Sequence, residues 1–219
     1  MTIRVLLVDD QALVRSGFRM LIESSDGIEI VGEAENGAQA LDLMASTPVD
    51  VVLMDIRMPV MDGVEATKRI VASGSSAHVL VLTTFDADEY VYSALRAGAS
   101  GFLLKDSRPD ELLQAIHSVA NGDAVMAPSA TRRLLDHVVP LLPASQGGRA
   151  DERLDVLTDR EREVLVEIAK GATNAEISTT LYMAEGTVKT HIGRLFAKLH
   201  ARDRVQLVLI AYETDLLKH

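Results

Sequence analysis

A regular alternation between short apolar runs and helical stretches fills the first half of this chain, and it constrains the fold more than any other feature. Each run is bounded by Gly, Asp or Asn and is followed by residues with helical spacing. Continuously apolar strands that alternate with helices indicate βα units, which form a parallel sheet with helices on both faces. We therefore predict a doubly wound α/β domain with a five-stranded parallel sheet within residues 1–122. The predicted strands are Ile3–Val8, Val51–Met54, Val79–Thr83, Gly101–Leu104 and a more polar one, nearer an edge, at Ile28–Val31.

The spacing of apolar residues becomes purely helical near residue 154 and stays so over the rest of the sequence. Three pairs of residues there have the spacing of a capping box, which is typical of a helix start. The stretch accommodates four helices, so we predict a small all-α domain over residues 154–219. The pairs are Thr158 with Glu161, Thr173 with Glu176, and Asp203 with Gln206.

Residues 123–153 separate the two predicted domains. A helical pattern near 128–139 is followed by a stretch from Pro140 to Arg149 that is rich in Pro, Gly and Ser. That composition is typical of a flexible connection, so we predict a linker that contains one helix.

The composition excludes several classes of protein. The chain has no cysteine, which excludes a disulfide framework and a thiolate zinc site. No apolar run approaches the length that crosses a bilayer, and the first residues enter a strand without room for a secretion signal. We therefore expect a cytoplasmic protein with no membrane partner.

The net charge of −10 argues at first against nucleic acid, but the charge is unevenly distributed. Residues 1–122 carry 9 basic and 18 acidic side chains, whereas residues 151–219 carry 10 and 12. Within 187–204 every charged residue except Asp203 is basic. A DNA duplex responds to such a local patch rather than to the total charge, so this stretch is a candidate for DNA binding.

Polar residues stand where the predicted strands end. Asp9 and Asp10 follow the first strand, Asp55 ends the third, Thr83 ends the fourth and Lys105 follows the fifth. The carboxyl ends of parallel strands share one edge of a sheet, so these side chains should meet there. Three carboxylates need a cation, and hard oxygen ligands suit Mg²⁺. A carboxylate nucleophile beside a metal, a lysine and a hydroxyl favours phosphoryl transfer.

The segments around these residues resemble a known domain. Val8–Asp10, Met54–Pro59, Leu82–Thr84 and Gly101–Lys105 are similar, in order and spacing, to the receiver domain of response regulators. The resemblance covers residues 1–122 and implies the flavodoxin-like form of the predicted fold. One departure is Asp106, which stands where many receivers carry a proline.

The resemblance also implies a role for each site residue. Asp55 is the implied phosphoacceptor. Asp10, the Asp55 carboxylate and the backbone carbonyl of Arg57 are the implied Mg²⁺ ligands, with Asp9 acting partly through water. The implied switch residues, which respond to the phosphate, are Thr83, Phe102 and Lys105. Pro59 and Gly63 fit a tight turn after the acceptor strand.

The stretch 184–199 has the pattern of an amphipathic helix. Its polar face carries cations but no acid between Thr187 and Lys198, and a major groove admits such a helix. Leu157–Leu165, Gly171–Ile177 and Gly186–His191 are similar to the luxR-type helix-turn-helix. With the receiver in front, the chain resembles the NarL/FixJ branch of response regulators.

That resemblance implies a recognition helix over Glu185–Leu199. Lys189 and Thr190 are the implied base contacts, and the implied phosphate contacts are Thr187, Arg194 and Lys198. Two departures are Ala184, where a capping Ser is common, and Gly193, where some relatives have lysine. The glutamates at 161, 163, 167 and 176 are interpreted as solubilising or dipole-matched charges.

The last predicted helix, Asp203–Tyr212, is apolar around most of its circumference. A single domain core needs only one apolar stripe. We therefore expect Val208 and its exposed neighbours to pack against the same helix of a second copy, which makes an active homodimer.

Together these observations predict a DNA-binding transcriptional response regulator, controlled by phosphorylation of Asp55 by a partner sensor histidine kinase, and not an enzyme. A metal-dependent phosphatase is an alternative, but it needs an acid two residues after its nucleophile, where this chain has Arg57. A phosphorylation-independent DNA-binding regulator, whose degenerate receiver serves dimerisation, is the second alternative.

Overall fold

The computed structural model describes residues 2–83, 88–120, 152–214 and 216–218. The chain divides into two compact units, Met1–Ala124 and Val125–His219. Each unit is described by itself. The helix predicted near 128–139 and the Pro/Gly/Ser-rich stretch after it lie outside the described residues.

The first unit contains the predicted five-stranded sheet. The strands follow the order β2-β1-β3-β4-β5, and every neighbouring pair is parallel. The prediction that the more polar second strand lies at an edge is confirmed. The strands are β1 (Ile3–Val8), β2 (Ile28–Ala34), β3 (Val51–Asp55), β4 (His78–Thr83) and β5 (Gly101–Leu104).

Five helices connect or follow these strands, and local side chains fix where two of them begin. The Asn36 side chain accepts hydrogen bonds from two backbone N–H groups of α2, and the Asp62 side chain accepts one from the first turn of α3. Pro109 opens α5, where its missing N–H has no helical partner to lose. The helices are α1 (Ala12–Glu23), α2 (Gly37–Met44), α3 (Gly63–Ala72), α4 (Asp88–Arg96) and α5 (Pro109–Ala120).

The core of this unit lies around the central strands. Every residue of β3 is buried, which explains its continuous apolar sequence. In β2, by contrast, most residues are only partly buried, as expected at an edge. The central position of β1 and β3 places their carboxyl ends side by side in the middle of the sheet.

The second unit is all helical in its described part, as predicted. The capping boxes of Thr158 with Glu161 and of Thr173 with Glu176 are both formed. The start of α8 has no side-chain cap, which agrees with the alanine at position 184. The helices are α6 (Asp159–Ala169), α7 (Asn174–Thr180), α8 (Glu185–Leu199) and α9 (Arg204–Glu213), flanked by short 3₁₀ turns at Glu152–Leu154 and Leu216–Lys218.

None of the helices in the described ranges combines the length and the apolar character that crossing a membrane requires.

Candidate functional site

Three carboxylates meet at the carboxyl edge of the sheet. Asp9 and Asp10 directly follow β1, and Asp55 is the last residue of β3. Because β1 and β3 are paired up to Val8 and Met54, the two strand ends are adjacent. One ligand atom from each carboxylate lies within 4.8 Å of the others. The structure thus brings together the three acids that the sequence placed at this edge.

Lys105 provides the positive charge of this pocket. Its Nζ lies 2.7 Å from Asp9 Oδ2 and 3.1 Å from Asp55 Oδ2. The remaining oxygen of each acid accepts a backbone N–H: Asp9 Oδ1 that of Gln11, and Asp55 Oδ1 that of Ile56, both at 2.9 Å. The Asp55 carboxylate therefore has one oxygen held by the backbone and the other directed at an ammonium.

For both Asp55 and Lys105, burial and ion pairing shift the pKa in opposite directions. Burial raises the pKa of the Asp55 carboxyl, and the nearby Lys105 only partly offsets this effect. For Lys105, burial lowers the pKa, but its bonds to Asp9 and Asp55 outweigh burial and raise it overall. The lysine therefore stays protonated at neutral pH.

The other predicted switch residues lie on β4, which pairs with β3, and on β5, which pairs with β4. Thr83 ends β4 and is buried, and its carbonyl accepts the Lys105 backbone N–H at 2.7 Å. Phe102 is a buried residue of β5 paired with Val81. The fourth and fifth strands thus place the hydroxyl, the ring and the ammonium along one edge of the unit.

The loop after the acceptor strand packs tightly against it. The Gly63 N–H donates to the Ile56 carbonyl at 2.9 Å. A Cβ atom at position 63 would lie only 2.1 Å from the Asp55 carbonyl oxygen. Only glycine therefore fits against the backbone of the acceptor residue. The peptide bond after Lys105 is trans, as are all others in the described residues.

Two arginines near the pocket have contacts that the sequence did not reveal. Arg15 is buried, and its guanidinium donates to the Asp9 carbonyl oxygen and pairs with Glu33 and Glu35. It therefore ties the loop that carries Asp9 to the end of β2. Its only signal in the sequence is its place in the first helix after the paired aspartates. The Arg57 guanidinium lies 4.9 Å from the centroid of the Tyr90 ring.

The second unit presents most of the predicted DNA face. In α8 the apolar stripe is buried, whereas Lys189, Thr190 and Arg194 are exposed, as is Thr187 in the first turn. A Cβ at Gly193 would meet no atom within 4 Å, so none of the other helices in the described part of the chain covers this face there. Lys189 makes one loose ion pair, at 3.8 Å, with Glu185.

Lys198 does not share this exposed arrangement. Its Nζ lies 2.7 Å from Glu161 Oε2 and donates to the Val156 carbonyl at 2.9 Å. Glu161 is only 2% exposed. Of the two interpretations of Glu161, a solubilising surface charge is therefore wrong, whereas a dipole-matched charge agrees with its place in the first turn of α6. The ammonium predicted for a DNA phosphate has partners inside its own domain.

The expectation that Val208 is exposed is also wrong. Val208 is 1% exposed, and every residue of α9 is buried or half-buried. The physical reason is that α9 packs against α6, α8 and the 3₁₀ turn at Leu216–Lys218, so more than one of its faces is covered. Apolar character around the helix reflects this enclosure, and the dimer contact stays a prediction.

A parallel sheet with acids and a lysine at its carboxyl edge, followed by a helical unit with an exposed cationic helix, defines a class of two-domain signalling proteins that bind DNA. The chain matches the family described as response regulator receiver domain over residues 5–117 and the luxR family of bacterial regulatory proteins over residues 155–211. It belongs to the response regulators that combine a receiver domain with a luxR-type DNA-binding domain.

Full-length relatives agree with this assignment. The chain is 40% identical over 216 residues to the uncharacterized transcriptional regulatory protein YxjL of Bacillus subtilis, covering 99% of this chain and 98% of YxjL. It is 38% identical to the nitrate/nitrite response regulator NarP of Escherichia coli, covering 94% and 93%. The crystal structure of ChrA, a response regulator of a heme-sensing two-component system, covers 98% of both chains at 32% identity and a TM-score of 0.53.

Proposed function

We propose that a sensor histidine kinase phosphorylates Asp55 and that this phosphorylation controls DNA binding by the helical domain, and with it transcription. The observation that carries the proposal is the contact of Lys105 with both Asp9 and Asp55 at the carboxyl edge of the sheet. The relatives support the second half, because YxjL and NarP are described as transcriptional and response regulators.

The pocket suits Asp55 as the nucleophile. A carboxylate oxygen of Asp55 attacks the phosphorus of phosphohistidine, the P–N bond breaks, and an acyl phosphate forms while the histidine nitrogen keeps the electron pair. Lys105 offsets charge on the transferred oxygens. The hydroxyl of Thr83, at the end of the next strand, is proposed to bind the product, with Phe102 following it as the second switch residue.

The acids also suit a divalent cation. Asp9, Asp10 and Asp55 carry three negative charges, and Lys105 is the ammonium that contacts two of them. The resulting excess of negative charge on hard oxygen ligands fits Mg²⁺, with the Arg57 backbone carbonyl as a further proposed ligand. When bound, Mg²⁺ offsets the charge of the phosphoryl oxygens.

The exposed face of α8 is proposed to enter the major groove. Lys189 and Thr190 are the proposed base contacts, and Thr187 and Arg194 are the proposed phosphate contacts. Binding as a homodimer would place two such helices on two half-sites. The chain is then the substrate of the kinase and a regulator, rather than an enzyme.

Phosphorylation of the full-length protein by a small acyl phosphate tests this function. Wild type and Asp55→Asn are incubated with the donor, with and without Mg²⁺, and their intact masses are compared. We expect the mass of one phosphoryl group to be added only to wild type and only with Mg²⁺. No gain in wild type would favour the alternative, a phosphorylation-independent regulator with a degenerate receiver. A DNA affinity that is equal with and without phosphate would also contradict the proposed control.

A further inference from the structure

Lys198 lies near the end of α8 that is opposite the proposed base contacts. It is nine residues beyond Lys189, which corresponds to roughly 14 Å along a helix. At that end its ammonium bonds Glu161, 37 residues away in the sequence, and the carbonyl of Val156, 42 residues away. Lys198 therefore connects the recognition helix to the start of α6 and to the residues just before it.

Besides binding Lys198, Glu161 caps the start of α6. Its Oε2 also accepts the Thr158 backbone N–H at 2.9 Å, and the Thr158 hydroxyl accepts the Glu161 N–H at 3.3 Å. One carboxylate oxygen thus closes the first turn of α6 and binds the Lys198 ammonium. Burial alone would raise the pKa of Glu161, but its bonds to Lys198 and Thr158 outweigh burial and lower the pKa to about 2. Glu161 is therefore ionised at neutral pH.

The two ends of α8 are held differently. At its start Ala184 provides no side-chain cap, and Lys189 forms a loose ion pair with Glu185 at 3.8 Å. In the middle, an apolar stripe that includes Val188 and Ile192 is buried, but apolar packing has little directional preference. The bonds of Lys198 are short and directional, so they select one position of the helix along and around its axis.

From this geometry, and resting on the proposed DNA binding by α8, we infer that Lys198 is a positioning residue. Through Glu161 and Val156 it fixes the orientation at which the recognition helix presents Lys189 and Thr190 to the bases. It does not serve as a phosphate contact. Its loss should therefore weaken sequence-specific binding, whereas non-specific attraction to the duplex should persist.

The salt dependence of DNA binding separates these two roles. A duplex enriched from a random pool by the full-length wild-type protein, phosphorylated with a small acyl phosphate, is compared with a scrambled duplex of equal length over a series of salt concentrations. The variants are Lys198→Met and, as the matched control on the same helix, Arg194→Met. A lost phosphate contact reduces the slope of log affinity against log salt by about 0.9.

For Lys198→Met we expect about a ten-fold or greater loss of affinity for the enriched duplex, an unchanged salt slope and unchanged affinity for the scrambled duplex. For Arg194→Met we expect a smaller slope on both duplexes. A reduced slope for Lys198→Met, or wild-type affinity for the enriched duplex, would overturn the inference alone. If phosphorylated wild type enriches no duplex, both the inference and the proposed DNA binding are overturned.

Substitution of Glu161, the ion-pair partner of Lys198, provides a second, independent test of the positioning role. Glu161→Gln should lose affinity for the enriched duplex as Lys198→Met does, and the double variant should be no worse than either single one, because all three remove the same connection. If Lys198 instead contacted phosphate, Glu161→Gln would free its ammonium and raise the affinity. Lys198→Arg keeps a cation of similar reach and should restore most of the specific binding. All measurements are made well below the unfolding temperature of each variant.

Discussion

The acidic pocket and the cationic helix place their charges by different means. In the pocket, four charged residues from three separate segments meet because parallel strands end at one edge of the sheet. On α8, neighbouring turns of a single helix carry the cations, and the helix face decides which of them are exposed. The pocket is therefore fixed by topology, whereas the role of each helix cation depends on what packs beside it.

This difference predicts where each region tolerates change. The pocket depends on backbone packing around strand ends, so a small intrusion there should impair both chemistry and stability. The helix presents separate side chains on an exposed face, so most single changes there should affect binding and leave the fold intact. The exceptions on this helix should be the residues whose side chains contact other helices of the domain, because their loss should also affect the fold.

The largest expected effect is that of Gly63→Ala. The added methyl would lie 2.1 Å from the Asp55 carbonyl oxygen, and a backbone atom cannot rotate away. We expect a loss of about 2 to 3 kcal/mol in the free energy of unfolding from overpacking. We also expect phosphorylation to slow by about 10- to 100-fold, because the acceptor is displaced. Urea unfolding and intact mass against time measure the two effects.

Gly17→Ala is the matched control for that change. Its added methyl would meet no atom within 4 Å, and it lies inside helix α1. Replacing a helical glycine by alanine should raise the free energy of unfolding by about 0.5 to 1 kcal/mol. Phosphorylation of Gly63→Ala at the wild-type rate would refute the tight packing inferred around Asp55.

Val208→Ala tests whether the last helix is enclosed within the chain. The change removes two buried methyl-sized groups and leaves a cavity, so we expect a loss of about 2 kcal/mol in the free energy of unfolding. Val156→Ala is the control, because Val156 is 53% exposed and its change should cost less than about 0.5 kcal/mol. Equal unfolding midpoints for the two variants would contradict the burial of Val208.

The sequence predicted the pocket better than the helix, for a physical reason. Strand ends in a parallel sheet converge whatever the packing details are, so the meeting of Asp9, Asp55 and Lys105 followed from the order of apolar runs. Helical periodicity identifies which side of a helix is buried, but not which distant residue lies beside it. Lys198 and Val208 were therefore placed on the surface, since nothing in their spacing reveals the elements that contact them.

The contribution of Glu161 should depend on pH. Its folded-state pKa of about 2 lies below the ordinary value of 4.5, so its stabilisation is complete above about pH 4.5 and is lost as the pH falls towards 2. We expect Glu161→Gln to cost about 1 to 2 kcal/mol at pH 7, discounted because Lys198 is partly exposed. The difference in free energy of unfolding between wild type and variant should shrink as the pH is lowered.

A glutamate two residues further along α6 provides the comparison. Glu163 pairs with Arg160, but both side chains are largely exposed, so Glu163→Gln should change the free energy of unfolding by less than about 0.5 kcal/mol. Similar losses at pH 7 for the two variants would mean that the Glu161–Lys198 pair acts as an ordinary surface ion pair. The distinction between internal and surface charges in this domain would then be wrong.

The smallest effect is expected from relieving backbone strain, which occurs at one residue in each of the two regions. Val60, in the loop after the acceptor strand, and Tyr182, in the turn before α8, both have positive φ angles, 69° and 53°. A left-handed backbone costs an L residue about 1 to 2 kcal/mol, and a β-branched side chain fits it worst. Glycine relieves this strain, but it also increases the entropy of the unfolded chain, which lowers the free energy of unfolding by about 0.5 to 1 kcal/mol. We therefore expect Val60→Gly to stabilise the protein by up to about 1 kcal/mol and Tyr182→Gly by less, as measured by urea unfolding. A larger gain at Tyr182 would place the greater backbone strain beside the DNA face rather than beside the pocket.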